Sequence, residues 1–222
     1  MFSPGVFALP PGVDFPAHLV AGLINRMADQ PPEAMARVTL YLNTARMRRR
    51  VTALFTEQGA CFLPRLRLVT DLAQDPGLTL PAAIPPLRLR LELARLISGL
   101  LDAQPKLAPR GALYDLADSL AVLIDELQGE GVTPETIAAL DVSNHSRHWE
   151  RTQTFLSIVA PLFTDTLNAE ARQRLAVTQL TARWAILPPT DPLLVAGSTA
   201  SRGTTALFMQ AVAGLPQGAL VL

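Results

Sequence analysis

The sequence has almost no lysine. Of its 19 basic residues, 18 are arginine and Lys106 is the exception. A P-loop needs a lysine at the end of a glycine-rich turn, where it reaches the β- and γ-phosphates. Lys106 sits in Gln104-Pro105-Lys106-Leu107-Ala108-Pro109, between predicted helices, where no strand feeds a turn. Cysteine is equally scarce: Cys61 stands alone, which excludes an internal disulfide framework and suits a reducing cytoplasm. Net charge is also missing. Basic and acidic residues both number 19, so any attraction to nucleic acid has to come from a local patch. No run approaches the roughly 18 apolar residues of a membrane span. Met1-Phe2-Ser3-Pro4-Gly5 lacks the basic start and apolar stretch of a signal peptide.

What is present is apolar and patterned. Hydrophobic residues make up 49% of 222 residues, enough for a core and against disorder. The length suits one sizeable α/β domain, or one carrying a large insertion. Val6-Phe7-Ala8-Leu9 reads as a buried strand that ends at Pro10-Pro11-Gly12. Phe15, Leu19, Leu23 and Met27 have helical spacing, and Pro16 fits a first helical turn. Arg37 to Asn43 predicts a second strand, followed by a helix with Met47, Val51, Leu54 and Phe55 inward. Cys61 to Val69 predicts a third strand, interrupted at Pro64. This β-α-β-α-β order implies a parallel sheet.

From Ile84 to about Leu187 the strand signal disappears. Helices are predicted from Pro85-Pro86 through Leu101, from Leu113 to a stop near Gly129-Glu130-Gly131, and from Thr133-Pro134-Glu135 onward. Ser143 or Asn144 can cap a further helix carrying Trp149, Phe155, Leu156, Val159 and Phe163, and one more carries Leu175, Leu180 and Trp184. Both tryptophans read as core anchors of this helical block. Strand–helix alternation then resumes: Pro192 to Ala196, a turn at Gly197-Ser198-Thr199, a helix from Ser201 to Ala213, and Ala219 to Leu222. The expected architecture is a parallel α/β domain over residues 1–84 and 189–222, with a helical insertion over 85–188. Gly218 to Leu222 reads as a buried strand inside which the sequence stops, so a piece of a longer protein is expected.

The loops after the strands decide what chemistry is available. Pro10-Pro11-Gly12-Val13-Asp14 offers one glycine, two prolines without N–H donors and an acid that repels phosphate. Gly197 to Thr205 comes nearer to a P-loop, but its glycines are one residue too far apart and Thr204 stands where lysine is required. Gly-x-Ser-x-Gly is absent there too, so a nucleophile turn is poorly supported; Ser198 or Ser201 reads first as a helix cap and second as a phosphate contact. Asn43-Thr44-Ala45-Arg46-Met47-Arg48-Arg49-Arg50 is the strongest local signal. Four arginines in five positions open a helix, against the preference of the helix dipole for acids there, and they can grip phosphates. The bland alternative is a solvated face whose arginine stems cover the sheet edge. His145, His148 and Glu150 make a weak metal signal. Cys61 reads as a buried small hydrophobe and Asp125-Glu126 as a solvated helix face.

Four segments together resemble a known family. They are Val6-Phe7-Ala8-Leu9-Pro10-Pro11-Gly12-Val13, Val38 through Arg46, Leu123 through Gly131, and Leu194 through Ser201. In that order, with His148-Trp149-Glu150-Arg151-Thr152 and Phe155-Leu156, the chain is similar to the start of the AddB double-strand break repair proteins in their alphaproteobacterial form. These are the B subunits of AddAB-type helicase-nucleases. The resemblance implies a P-loop or RecA-like lobe of a superfamily-1 helicase. Pro10-Pro11-Gly12 stands in the Walker A place, and Gly197-Ser198 where the Mg²⁺-binding acid belongs, so the motor is degenerate. Thr44, Ala45 and Arg46 fall in the motif that contacts single strands. Candidate DNA-binding residues are therefore Thr44, Arg46, Arg48, Arg49, Arg50, Ser198, Thr199 and Ser201. No catalytic, metal or cofactor residue is expected in this stretch. The family's nuclease domain and iron–sulfur cluster lie outside it, and an AddA-like partner subunit supplies the ATP-driven motor at DNA ends. Two other readings compete: an active NTPase or helicase lobe, and a small-molecule α/β enzyme using the Gly197–Thr205 loop.

Overall fold

A computed structural model describes residues 5–133, 135–136, 139 and 167–222. Two compact units are present. The first comprises Met1–Leu78 with Ala176–Leu222, the second Thr79–Leu175.

The first unit is built on an all-parallel sheet of β1 (Gly5–Phe7), β2 (Thr39–Leu42), β3 (Arg65–Leu68), β4 (Leu193–Ala196) and β5 (Gly218–Val221), in the spatial order β1-β5-β4-β2-β3. The strands are shorter than the apolar runs that predicted them. β1 ends at Phe7, and β2 starts at Thr39 because a 3-10 turn, Pro32–Arg37, occupies the residues before it. Parallel strands covered on both faces need apolar residues at successive positions. β4 meets that condition, with Leu193, Leu194, Val195 and Ala196 all buried.

Each face has its own helices. On one, α1 (Phe15–Met27) and α2 (Ala45–Glu57) bring Leu19, Leu23, Val51 and Phe55 against Leu40, Leu42, Leu194 and Ala219. On the other, α6 (Gly203–Ala213) and the C-terminal part of α5 (Ala169–Ile186) bring Phe208, Val212, Val177 and Leu180 against Tyr41, Val195 and Leu220. Phe208 is fully buried, edge-on to Tyr41 at 4.9 Å between ring centroids, with Trp184 at 6.0 Å. Trp184 thus belongs to the sheet's core and not to a helical block as expected. Burial pushes the Tyr41 hydroxyl up from its ordinary pKa, against the opposing pull of Arg67.

In the second unit, α3 (Pro86–Ala103) and α4 (Leu113–Glu130) pack through Leu93, Ile97, Leu101, Ala117, Leu120 and Ile124. Gly131 ends α4 in the left-handed conformation at φ +74, where a side chain would be strained. Thr133 Oγ1 accepts from the Thr136 N–H at 3.3 Å, the cap expected there. Asn168 is buried. Its Oδ1 accepts from the Ala171 N–H at 2.7 Å and its Nδ2 donates to Asp125 Oδ1 at 2.6 Å. Asp125 is therefore not on a solvated face, and burial raises its pKa against the opposing hydrogen bond. Among the described residues of this unit there is no strand. The helix predicted through Trp149 and Phe163, with His145, His148 and Glu150, lies outside the described residues.

Candidate nucleic-acid interface

In a doubly wound sheet, ligands gather beyond the carboxyl ends of the strands, where neighbouring strands send their connections to opposite faces. β2 and β4 are such a pair. They are adjacent in the sheet, yet β2 runs into α2 on one face and β4 into α6 on the other. Two loops leave the sheet at this point, Asn43-Thr44 after β2 and Gly197-Ser198 after β4. They touch: Asn43 Nδ2 donates to the Gly197 carbonyl.

Local chemistry shapes each loop. Thr44 is extended and caps α2, its Oγ1 accepting from the Met47 N–H at 3.1 Å. A hydroxyl used this way keeps its own proton for donation. Gly197 takes φ +71 and Ala200 φ +55, so the loop turns twice through the left-handed region, once without glycine. Ser198 Oγ accepts from the Ala200 N–H at 3.5 Å. The expected serine cap is not formed. Arg202 occupies the cap position of α6 without a capping bond from its own side chain, and the helix's first residue is Gly203 rather than Ser201. Thr199 and Ser201 are exposed and Ser198 is half-buried.

The arginine run divides into two pairs. Arg50 reaches Asp14 at 3.4 Å and Glu57 at 3.7 Å, and Arg48 reaches Asp71 at 3.9 Å. Asp14 lies in the loop after β1 and Asp71 in the 3-10 turn Val69–Gln74 after β3. Acids from two flanking connections thus hold α2 by its second and fourth arginines. Arg46 and Arg49 are exposed and have no ion-pair or hydrogen-bond partner among the described residues. Spaced i,i+3, they lie one turn apart on one helix face. The ion pairs give Arg48 and Arg50 a structural role, whereas a solvated face and a phosphate-gripping face alike leave Arg46 and Arg49 exposed.

The start of α1 has a different fate. Asp14 caps it, Oδ1 accepting from the Ala17 N–H at 3.3 Å, while Oδ2 pairs with Arg50. A helix start after a first strand is where a P-loop would hold phosphate. Here a carboxylate of the chain stands at that end. His18 Nδ1 donates to the Asp14 carbonyl at 3.0 Å, and among the described residues no serine hydroxyl bonds a histidine. Also among the described residues, no group of three or more His, Cys, Asp or Glu is placed to hold a metal ion. No described helix is long and apolar enough to cross a membrane. Cys61 is exposed rather than buried, its thiol 3.4 Å from the Phe55 carbonyl, because the segment before β3 runs outside the core.

Sequence reasoning named Thr44 and the arginines, but not Asp14 and Asp71 as partners of Arg50 and Arg48, nor Asn43 as the tie to Gly197. Asn43 had a signal, a polar residue at a strand's carboxyl end. The acids had none, since their pairing depends on which loops the sheet brings together. No family model matches the chain, and no curated protein matches it.

Proposed function

We propose that this chain is the DNA-binding, helicase-like first part of an AddB-type subunit, working in the cytoplasm with an AddA-like partner on broken DNA ends. On this reading the first unit is a RecA-like lobe without an ATP site, and the helices between β3 and β4 form its insertion over residues 85–188. The observation that carries the reading is the division of the arginines. Arg46 and Arg49 are exposed and without an ion-pair partner among the described residues, on the helix that follows the tied loop of Asn43. Exposed guanidiniums on such a helix suit phosphate oxygens, with Thr44, Ser198, Thr199 and Ser201 in position for short hydrogen bonds. Contacts of this kind are independent of sequence and sensitive to salt. Asp14 at the start of α1 supports a lobe that does not bind nucleotide.

The experiment is a titration of the chain against fluorescein-labelled oligo-dT over a range of salt concentrations. Removing one arginine that neutralises a phosphate should lower the slope of log affinity against log salt by about 0.7. Replacing Arg46 and Arg49 together by alanine should therefore lower it by roughly 1.4. Replacing Arg48 and Arg50 should not lower it. Equal slopes in wild type and the Arg46/Arg49 variant would reject the DNA surface. Saturable, Mg²⁺-dependent ATP binding would reject the inactive lobe in favour of a working motor.

A further inference from the structure

α1 and α2 end side by side. Each follows a strand of the parallel sheet and runs back along the same face, so both C-termini fall beside the amino ends of the strands. Between these two helix ends lies a cavity of about 710 Å³, against about 180 Å³ for each of two other clefts in the same unit. Small-molecule sites enclose roughly 300–1,000 Å³ and are mostly apolar, with a few placed polar groups. This cavity has that make-up. Phe55 and Met35, both buried, underlie it, and Met27, Pro31 and Phe62 line it further. Its polar side chains include the amides of Gln30 and Gln58. Methionine adapts its shape to what it meets, and Phe62 is 54% exposed. Cys61 also lines the cavity, its thiol donating to the Phe55 carbonyl at 3.4 Å.

The field in the cavity has one sign. The C-cap residues of both helices, Ala28 of α1 and Gln58 of α2, line it. A helix C-terminus carries roughly half a negative charge, felt within its last turn. α2 has no basic residue in that turn, and Arg26 of α1 lines two neighbouring clefts instead of this cavity. Among the described residues no charged side chain lines the cavity. Asp29 and Glu33 are exposed next to lining residues in sequence, Asp29 between Ala28 and Gln30 and Glu33 after Pro32. An apolar space at two negative helix ends, with acids beside it, favours a cation over an anion.

We propose that this cavity is a binding site for a small apolar amine: an aromatic or branched aliphatic body carrying one ammonium group. The body rests on Phe55, Met35 and Met27. The ammonium lies toward the C-caps of α1 and α2, where Gln30 and Gln58 offer side-chain oxygens and the Phe62 ring offers its face. The site lies at the amino ends of the strands, whereas Asn43 and Gly197 follow the carboxyl ends. It therefore stands or falls independently of DNA binding.

The test uses the full chain and two probes of one shape and opposite charge, 1-naphthylmethylamine and 1-naphthoate, in calorimetric titrations at neutral pH. The amine should bind saturably and at least about fivefold more tightly than the acid. Alkylation of Cys61 by N-ethylmaleimide should slow as the amine is added and not as the acid is added at equal concentration. Ala60→Trp places a ring in the cavity from an exposed position and should weaken the amine roughly tenfold. Gln58→Arg sets a cation at the end of α2, which favours the helix, so its effect cannot be put down to misfolding. It should abolish the preference for the amine. No saturable binding of the amine up to millimolar concentration would overturn the proposal, as would equal affinity for the two probes. Amine binding that is unchanged in Ala60→Trp, or that leaves Cys61 alkylation unaffected, would place the amine elsewhere and overturn it too. A preference for the amine that survives Gln58→Arg would remove the helix ends as its cause.

Discussion

Asn43 and Gly197, 154 residues apart in sequence, are joined by one hydrogen bond from the Asn43 amide to the Gly197 carbonyl. The bond closes the gap between two loops that leave adjacent parallel strands for opposite faces of the sheet. Both groups are at least partly exposed, so its removal should be mild. Asn43→Ala is expected to lower stability by about 1 kcal/mol in chemical denaturation. Asn43→Asp should lower it at least as much at neutral pH, where two acceptors would face each other. Part of that stability should return as the pH falls below about 4 and the carboxyl regains a proton to donate. An Asn43→Asp variant as stable as wild type at neutral pH would mean the bond contributes nothing.

Two left-handed residues in the same loop should respond with opposite signs. Gly197 has φ +71, and the nearest atom to an added Cβ is Phe15 Cε1 at 3.5 Å, an ordinary contact. The penalty for Gly197→Ala is therefore conformational, about 1 kcal/mol. Ala200, at φ +55, already bears that strain. Ala200→Gly should be neutral or stabilising by up to about 1 kcal/mol, since relief of strain offsets the greater freedom of the unfolded chain. Thermal melts of the two variants check the contrast, and equal destabilisation in both would remove the strain argument.

Much of the fold was legible because the sequence signals and the packing agree. Phe15, Leu19, Leu23 and Met27 share a face, Pro16 marks the first turn, and α1 spans Phe15–Met27. The arginine run and its place at the start of α2 were likewise visible. What was not legible depends on tertiary pairing. Nothing near Arg48 or Arg50 in sequence distinguishes them from Arg46 or Arg49; Asp71 and Asp14 do so by arriving from other connections. Cys61 looked buried because a free cysteine behaves as a small hydrophobe, yet it and its neighbours Phe62 and Leu63 are exposed in the approach to β3. Ser201 looked like a cap by type and position, but the loop delays the helix to Gly203.

The Asp125–Asn168 pair makes a prediction in pH. Burial raises the Asp125 pKa, so its protonated form is the one favoured by folding. For an acid shifted this way, the stabilising contribution is fully present below the unfolded pKa and is lost as pH rises through the raised folded value. Asp125→Asn cannot titrate and still offers an oxygen to Asn168. The melting temperature of wild type should fall relative to Asp125→Asn as pH rises from about 3.5 into the neutral range. Asn168→Ala should cost about 1–3 kcal/mol, because it uncaps α5 and leaves Asp125 without its donor. Parallel pH profiles for wild type and Asp125→Asn would show that Asp125 titrates alike in the folded and unfolded chain.

Asp14 links the start of α1 to the arginine face, and two substitutions separate its roles. Asp14→Asn keeps an oxygen for the Ala17 N–H but gives up the charge that meets Arg50; Asp14→Ala gives up both. The ion pair is exposed on both sides, so Asp14→Asn should change stability by less than about 1 kcal/mol. Asp14→Ala should cost about 1 kcal/mol by removing the cap. Neither should create an ATP site, because the prolines at 10 and 11 still lack N–H groups and no lysine is brought in. On DNA the expected sign is reversed. With Asp14 neutral, Arg50 keeps only Glu57 as an acidic partner and is less held from the edge of Arg46 and Arg49, so affinity for oligo-dT should rise and its salt slope should steepen by up to about 0.7. The slope is the decisive quantity, since a general gain in net positive charge would raise affinity whether or not Arg50 reached a phosphate. Combining Asp14→Asn with Arg50→Ala should return the slope to the wild-type value. A slope that stays steep in the double variant would mean that the added attraction is diffuse, and that Asp14 does not hold Arg50 away from the strand.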